Sequence, residues 1–241
     1  MRILLANIII ALTSLQGLSQ SVQLYYDLRH TVDPGANPKN FPALSFEYFK
    51  EVDTLVTGSF LFKLDSRLDG EKGNMGQVFT QVSQTLRFWK PRPALALYYS
   101  GGLGVTSTSY GYYLTNAFGI GSSLTFRIGE AWLSTGLYLR TSFYQKNSFD
   151  PQFNIWFGRG FPGYRIYTDG SFVIWTENRD HGTEATKDEG GKKLAFFGDP
   201  KIWIRIRGGL SAGLKVNIFY NLSDKEGQIQ FYPAPGVKYQ F

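Results

Sequence analysis

From Val22 onward the chain alternates apolar and polar positions with a period of two, in runs of strand length. In VQLYYDL, Val22, Leu24, Tyr26 and Leu28 share one face, and Gln23, Tyr25 and Asp27 share the other. ALSFEYF sets Leu44, Phe46 and Tyr48 against Ser45 and Glu47, and VTGSFLFKLDSR sets Phe60, Phe62 and Leu64 against Lys63, Asp65 and Arg67. The rhythm continues through VFTQVSQTLRF, ALALYYSG, NAFGIGSSLTFR, WLSTGLYLRTSF, a short FNIWF, YRIYTDGSFVIWTE, LAFFGDPKIWIRI and LSAGLKVNIFY to IQFYPAPGVKYQF. That predicts about twelve strands and, the number being even, both termini on one side. The breaks agree: KEVD, KPRP, IGE, GRGFPG and RGG are short, whereas HTVDPGANPKN and NRDHGTEATKDEGGKK are long.

A soluble sandwich also alternates. Here the polar face carries charge in strand after strand, and the apolar face holds no Lys or Arg, which cost about 2–4 kcal/mol when facing lipid at mid-depth. In lipid every backbone group must be paired, so a β protein has to close on itself. The expected fold is all-β, an antiparallel transmembrane β-barrel. The N-terminal stretch MRILLANIIIALTSLQGLSQS reads as a signal peptide over 1–19, with the small residues Gly17 and Ser19 at the −3 and −1 positions before the cleavage point. It is too short for a membrane anchor. Residues 20–241 then form one barrel domain, which belongs in the outer membrane of a Gram-negative-type bacterium, amid lipid and lipopolysaccharide.

Composition sharpens this. There is no cysteine among 241 residues, which excludes disulfide frameworks, thiolate metal sites, cysteine nucleophiles and a lipoprotein anchor. The net charge of +6 is spread along the chain with no basic block, so nucleic acid is not an expected partner. Positive charges outnumber negative ones on the inward phase, so a weak anion preference is expected of any conductance.

Aromatics make up 17% of the residues, and all five tryptophans, Trp89, Trp132, Trp156, Trp175 and Trp203, fall on the polar phase. Lipid-facing girdles normally hold such residues. Inside a barrel they stack flat solutes or simply fill a narrow lumen, and both readings stand. The lumen candidates for binding a substrate are Tyr25, Glu47, Phe79, Arg87, Tyr98, Tyr138, Arg140, Trp156, Tyr167, Asp169, Trp175, Glu177, Asp199, Trp203 and Arg205. Lys63 is expected to pair with Asp65, and Asp199 with Lys201 and Arg205. The two histidines, His30 and His181, fall in loops, no acidic run has calcium-loop spacing, and the scattered GxG pieces follow no βαβ pattern. No catalytic residue, metal ligand or cofactor is therefore assigned.

With the strands placed, LYYDLR (24–29), FPALSFEYFK (41–50), LRFWKPRPALALYYSGGLG (86–104), NAFGIGSSLTF (116–126), DGSFVIWTEN (169–178) and FFGDPKIWIRI (196–206) resemble the nucleoside-specific channel-forming outer-membrane proteins, the Tsx-like family, and a related outer-membrane barrel group. The resemblance implies a twelve-stranded barrel passing nucleosides or similar small polar solutes. A closed structural or receptor barrel with working loops is the alternative, and an outer-membrane lipid hydrolase a third. The ending GVKYQF, with Tyr239 and Phe241, resembles the signal read by the barrel assembly machinery, and a monomer is expected. Pro233 and Pro235 each remove a ladder donor, so regular pairing of the last strand is expected only from Gly236.

Overall fold

The computed structural model describes residues 19–50, 58–70, 74–88, 93–105, 111–143, 146–161, 163, 165–184, 186–222 and 226–241. Residues 1–18 of the expected signal peptide and Trp89 lie outside them, and Ser19 opens the first strand. Thirteen strand segments run in chain order: β1 (Ser19–Asp27), β2 (Phe41–Lys50), β3 (Phe60–Arg67), β4 (Gln77–Leu86), β5 (Ala94–Val105), β6 (Gly111–Ile128), β7 (Ala131–Ser142), β8 (Ser148–Gly160), β9 (Ile166–Asn178), β10 (Lys192–Gly198), β11 (Lys201–Arg207), β12 (Leu210–Tyr220) and β13 (Ile229–Gln240). One short helix, α1 (Arg29–Val32), sits in the first long loop.

β10 and β11 are one barrel strand interrupted at Asp199–Pro200. Both pair with β9, through 172–178 and 166–169, and both pair with β12, through 218–220 and 210–215. The barrel therefore has twelve antiparallel strands and closes by pairing β1 with β13. Pro200 has no N–H to give the ladder, but the inward phase runs on through the break from Ala195 to Asp199, Lys201 and Trp203. Gly170 sits beside the break, where a Cβ would lie 2.7 Å from the Pro200 Cα and 2.9 Å from the Asp199 carbonyl oxygen.

The alternation is inverted relative to a soluble protein. Lys63 is 5% exposed while Leu137 is 61% exposed. Gln20, Gln23, Ser45, Gln152 and Asn154 are buried inside, and Leu24, Phe118, Ile120, Leu139, Ile202 and Phe231 stand outside. Only an apolar surrounding makes that arrangement favourable, because each outward side chain removed from water contributes about 1.5–3 kcal/mol.

One end of the barrel carries tight connections. Gly129–Glu130 joins β6 to β7 and Gly208–Gly209 joins β11 to β12; Gly208, at φ 54°, takes the left-handed conformation that such a short turn requires. Ser19 and Gln240 lie at this turn end, and the long segments 28–40 and 179–191 lie at the other, the loop end.

Two expectations need correction. The short FNIWF run predicts a strand of five residues, yet β8 begins at Ser148, five residues earlier. Buried Asp150 accepts hydrogen bonds from Ser148 and from Thr176 Oγ1 (2.7 Å), which holds this polar segment in the sheet although Pro151 lacks a donor. The last strand is regular earlier than expected on one side. β13 pairs with β12 throughout, from Ile229 to Tyr239, and with β1 only from Gly236 to Gln240. The two prolines turn their donor-less edge toward β1.

Candidate functional site in the lumen

Eight ionisable side chains meet at mid-height inside the barrel. Lys63 (β3) contacts Asp199, in the strand break, and lies 3.4 Å from Asp65 and 3.9 Å from Glu47. Lys201 (β11) reaches Glu47 at 2.5 Å, Asp169 at 3.5 Å and Asp199 at 3.8 Å. Lys238 (β13) pairs with Asp169 at 3.1 Å, and Lys215 (β12) approaches Asp199 at 4.0 Å. Four lysines thus face four carboxylates, contributed by β2 and β3 on one wall and by β9 to β13 on the other.

Local hydrogen bonds aim these groups. The Ser171 backbone N–H (2.9 Å) and Oγ (2.6 Å) both donate to Asp199 Oδ1, and the Asp199 backbone N–H returns a bond to the Ser171 carbonyl. Gln23 Nε2 donates to Glu47 at 2.9 Å, and Ser45 donates to Asp65. Such bonds matter because a buried ion pair repays its desolvation only when the remaining lone pairs are satisfied.

Aromatic groups pack on the network. Tyr25 and Trp203 rings lie 5.9 Å apart and Tyr167 lies 6.4 Å from Trp203. Lys238 sits 5.1 Å over Tyr167 and 5.4 Å over Trp203, and Lys215 sits 5.2 Å over Tyr25, so the lysines that balance the carboxylates also make cation–π contacts. Across the lumen, Tyr98 and Tyr138 pack at 5.5 Å on Ala96, with Trp156 against them.

Two cavities enter from opposite ends. The turn-end cavity, about 420 Å³, is lined by Glu47, Lys63, Trp132, Trp156, Tyr167, Asp169, Asp199 and a wall of serines and threonines including Ser83, Thr85, Ser123 and Thr125. The loop-end cavity, about 540 Å³, is lined by Tyr25, Asp65, Phe79, Tyr98, Arg140, Trp175, Glu177 and Lys215. Gln81 lines both.

In the loop-end cavity Glu177 is a second hub. It lies 3.5 Å from Arg140, 3.2 Å from Lys193 and 3.8 Å from His181, and accepts a 3.0 Å bond from Trp175 Nε1. Arg140 also stacks 5.2 Å over the Trp175 ring.

The sequence-predicted residues therefore fall into three groups. Tyr25, Glu47, Tyr167, Asp169, Asp199 and Trp203 meet at the ionic network. Tyr98, Tyr138 and Trp156 form the facing aromatic wall, and Arg140, Trp175 and Glu177 form the loop-end hub. Phe79 lines the loop-end cavity and Arg87 the turn-end one. Arg205 is exposed near the turn end, lines neither cavity and does not join Asp199 as expected, because four positions along β11 from Lys201 carry it past the network. The four described tryptophans all point inward. Sequence reasoning left Lys63, Lys201, Lys215 and Lys238 out of the site. Their signal was inward phase; Lys238 carries it within GVKYQF itself.

No family model matches the chain, and no curated protein matches it, so the Tsx-like resemblance has no support from either. Solved structures do match. The NanC porin superposes with a TM-score of 0.54 at 7% identity, covering 92% of this chain and 100% of that one. LpxR from Salmonella typhimurium matches with a TM-score of 0.45 at 9% identity over 92% and 100% of the two chains. Pseudomonas aeruginosa OccK5 (OpdH) gives 0.40 at 10% over 94% and 68%. The fold is thus a transmembrane β-barrel similar to that of a porin.

Proposed function

We propose that the protein is an outer-membrane channel for small polar solutes, constricted at mid-height by the Lys63–Asp199 network. The observation that carries this reading is the pair of cavities, about 420 and 540 Å³, that enter from opposite ends and share Gln81. The apolar outer surface and the porin-like fold support it. The turn end then faces the periplasm and the loop end the outside, among lipid and lipopolysaccharide. Insertion runs through the C-terminal strand, and the barrel works as a monomer.

Nucleosides are the solute class we propose. Trp132 and Trp156 offer flat faces in the turn-end cavity, and Trp175 offers another beside a carboxylate and a guanidinium at the loop end. Aromatic stacking contributes about 1–3 kcal/mol per base, and Glu177 and Asp169 supply acceptors for sugar hydroxyls.

A second reading, a closed barrel with working loops, is favoured by the network itself, which ties opposite walls together. Reconstitution in planar bilayers separates the two. A small stable conductance that adenosine or thymidine reduces supports the nucleoside channel. A conductance indifferent to both removes the nucleoside class, and a silent barrel removes the channel.

A further inference from the structure

The charge of the barrel is distributed unequally between its ends. Arg87, Arg127, Arg159, Arg165, Arg205 and Arg207 all stand at the turn end, and Lys50 joins them. Glu130 is the one acidic side chain among the described residues there.

At the loop end the signs balance and pair. Lys146 meets Asp180 at 2.7 Å, Lys187 meets Glu184 at 2.6 Å, Lys192 meets Asp150 at 2.6 Å, and Arg179 meets Glu226. The mid-height network is balanced as well. The surplus positive charge of the described barrel is therefore a property of one mouth.

Arg87 and Arg127 follow the inward phase of β4 and β6 and line the turn-end cavity together with Arg159 and Glu130. The remaining arginines surround that mouth. Like charges rimming a cleft with low-dielectric walls raise the local concentration of counter-ions. We infer that the turn-end mouth is an anion-collecting vestibule, which concentrates carboxylate- and phosphate-bearing small molecules beside the neutral nucleosides that the channel also passes. Discrimination against cations then arises at that mouth and not at the constriction. This inference rests on the channel reading.

A charge located at one mouth has a directional signature. The Debye length is about 10 Å at 0.1 M salt and about 3 Å at 1 M. A dilute solution at the turn end leaves the arginines unscreened, and a concentrated one masks them. The test is the reversal potential of a single inserted barrel in 0.1 M against 1 M KCl, recorded with the gradient in both directions. Orientation is read from Lys187→Cys, blocked by a bulky membrane-impermeant thiol reagent from one chamber; the chain has no other cysteine.

The expected result is an anion-selective potential roughly twice as large when the dilute side is the turn end. Arg87→Gln with Arg127→Gln reduces that difference by about half or more. Equal potentials in the two directions, or cation selectivity, overturn the inference and leave the channel standing. Absence of current under either gradient overturns both.

Discussion

Lys63 and Asp199, 136 residues apart in sequence, form an ion pair across the lumen, with side chains 6% and 1% exposed. Removing one member of a buried pair costs about 3–5 kcal/mol because the other charge stays buried. The two ends are not equivalent. Without Lys63, Asp199 retains Lys201 and Lys215; without Asp199, three lysines lose a shared anion and two Ser171 donors lose their acceptor. Asp199→Leu is expected to destabilise the barrel more than Lys63→Met, and the double variant less than the sum of the two. A double-mutant cycle on urea unfolding in detergent micelles checks this; strict additivity would refute the coupling.

Gly170 is expected to tolerate no side chain. A Cβ there meets the backbone of Pro200 and Asp199, which cannot step aside as a flexible side-chain tip would. Gly170→Val should lower the yield of folded barrel severalfold, read as the fraction of heat-modifiable species on a gel, while Gly190→Val, at a site with open space and ordinary backbone angles, should change it little.

Tryptophans 156 and 203 separate solute binding from packing. Trp203 is fully buried and lines neither cavity, so Trp203→Ala should cost about 3–5 kcal/mol of stability. Trp156 lines the turn-end cavity, so Trp156→Ala should weaken nucleoside block by about 1–3 kcal/mol. Current-block titrations beside unfolding curves check the contrast, and unchanged block in Trp156→Ala would argue against stacking there.

Asp180 tethers the long loop to Lys146. The hydrogen bond from Lys146 (2.7 Å) holds its carboxyl below the usual aspartate range, helped by the Gly182 backbone N–H. A lowered folded-state value means the tether contributes fully above the ordinary aspartate pKa and is lost as pH falls through the folded one. Hydrogen exchange in 179–191 should be flat from pH 7 to 5 on the scale of intrinsic rates and rise only in stronger acid. Lys146→Ala should remove the protection at all pH values.

At the C-terminus, the Tyr239 and Phe241 rings meet edge-on at 5.1 Å, and the Phe241 N–H donates to the Gln20 carbonyl at 3.0 Å. Deleting Phe241 is expected to impair membrane assembly in cells while leaving the conductance of refolded barrels unchanged. Normal insertion in cells would count against the assembly role.

Much of this was legible because a strand writes its two faces alternately. Tyr25, Glu47, Tyr98, Tyr138, Asp169, Trp175 and Trp203 announce their inward direction by phase alone. Phase does not say which height a residue reaches or what stands across the lumen. Lys63 was matched with Asp65, its neighbour in sequence, and that pair exists at 3.4 Å, but its contact with Asp199 depends on closure of the sheet. Arg205 fails for the same reason: right phase, wrong height. Asp150 and Pro151 fall outside the predicted FNIWF run because part of what holds Asp150 in the sheet comes from Thr176 in β9 and Lys192 in β10.

The proline edge of β13 has a mechanical consequence. β1 and β13 share five paired positions, whereas β12 and β13 share eleven. The barrel is a cylinder with a thin zip: beyond the five paired positions, its first and last strands are joined only by single bonds among the described residues, from Phe241 N–H to the Gln20 carbonyl at one end and from Leu28 N–H to the Pro233 carbonyl at the other. That joint separates with the fewest broken ladder bonds.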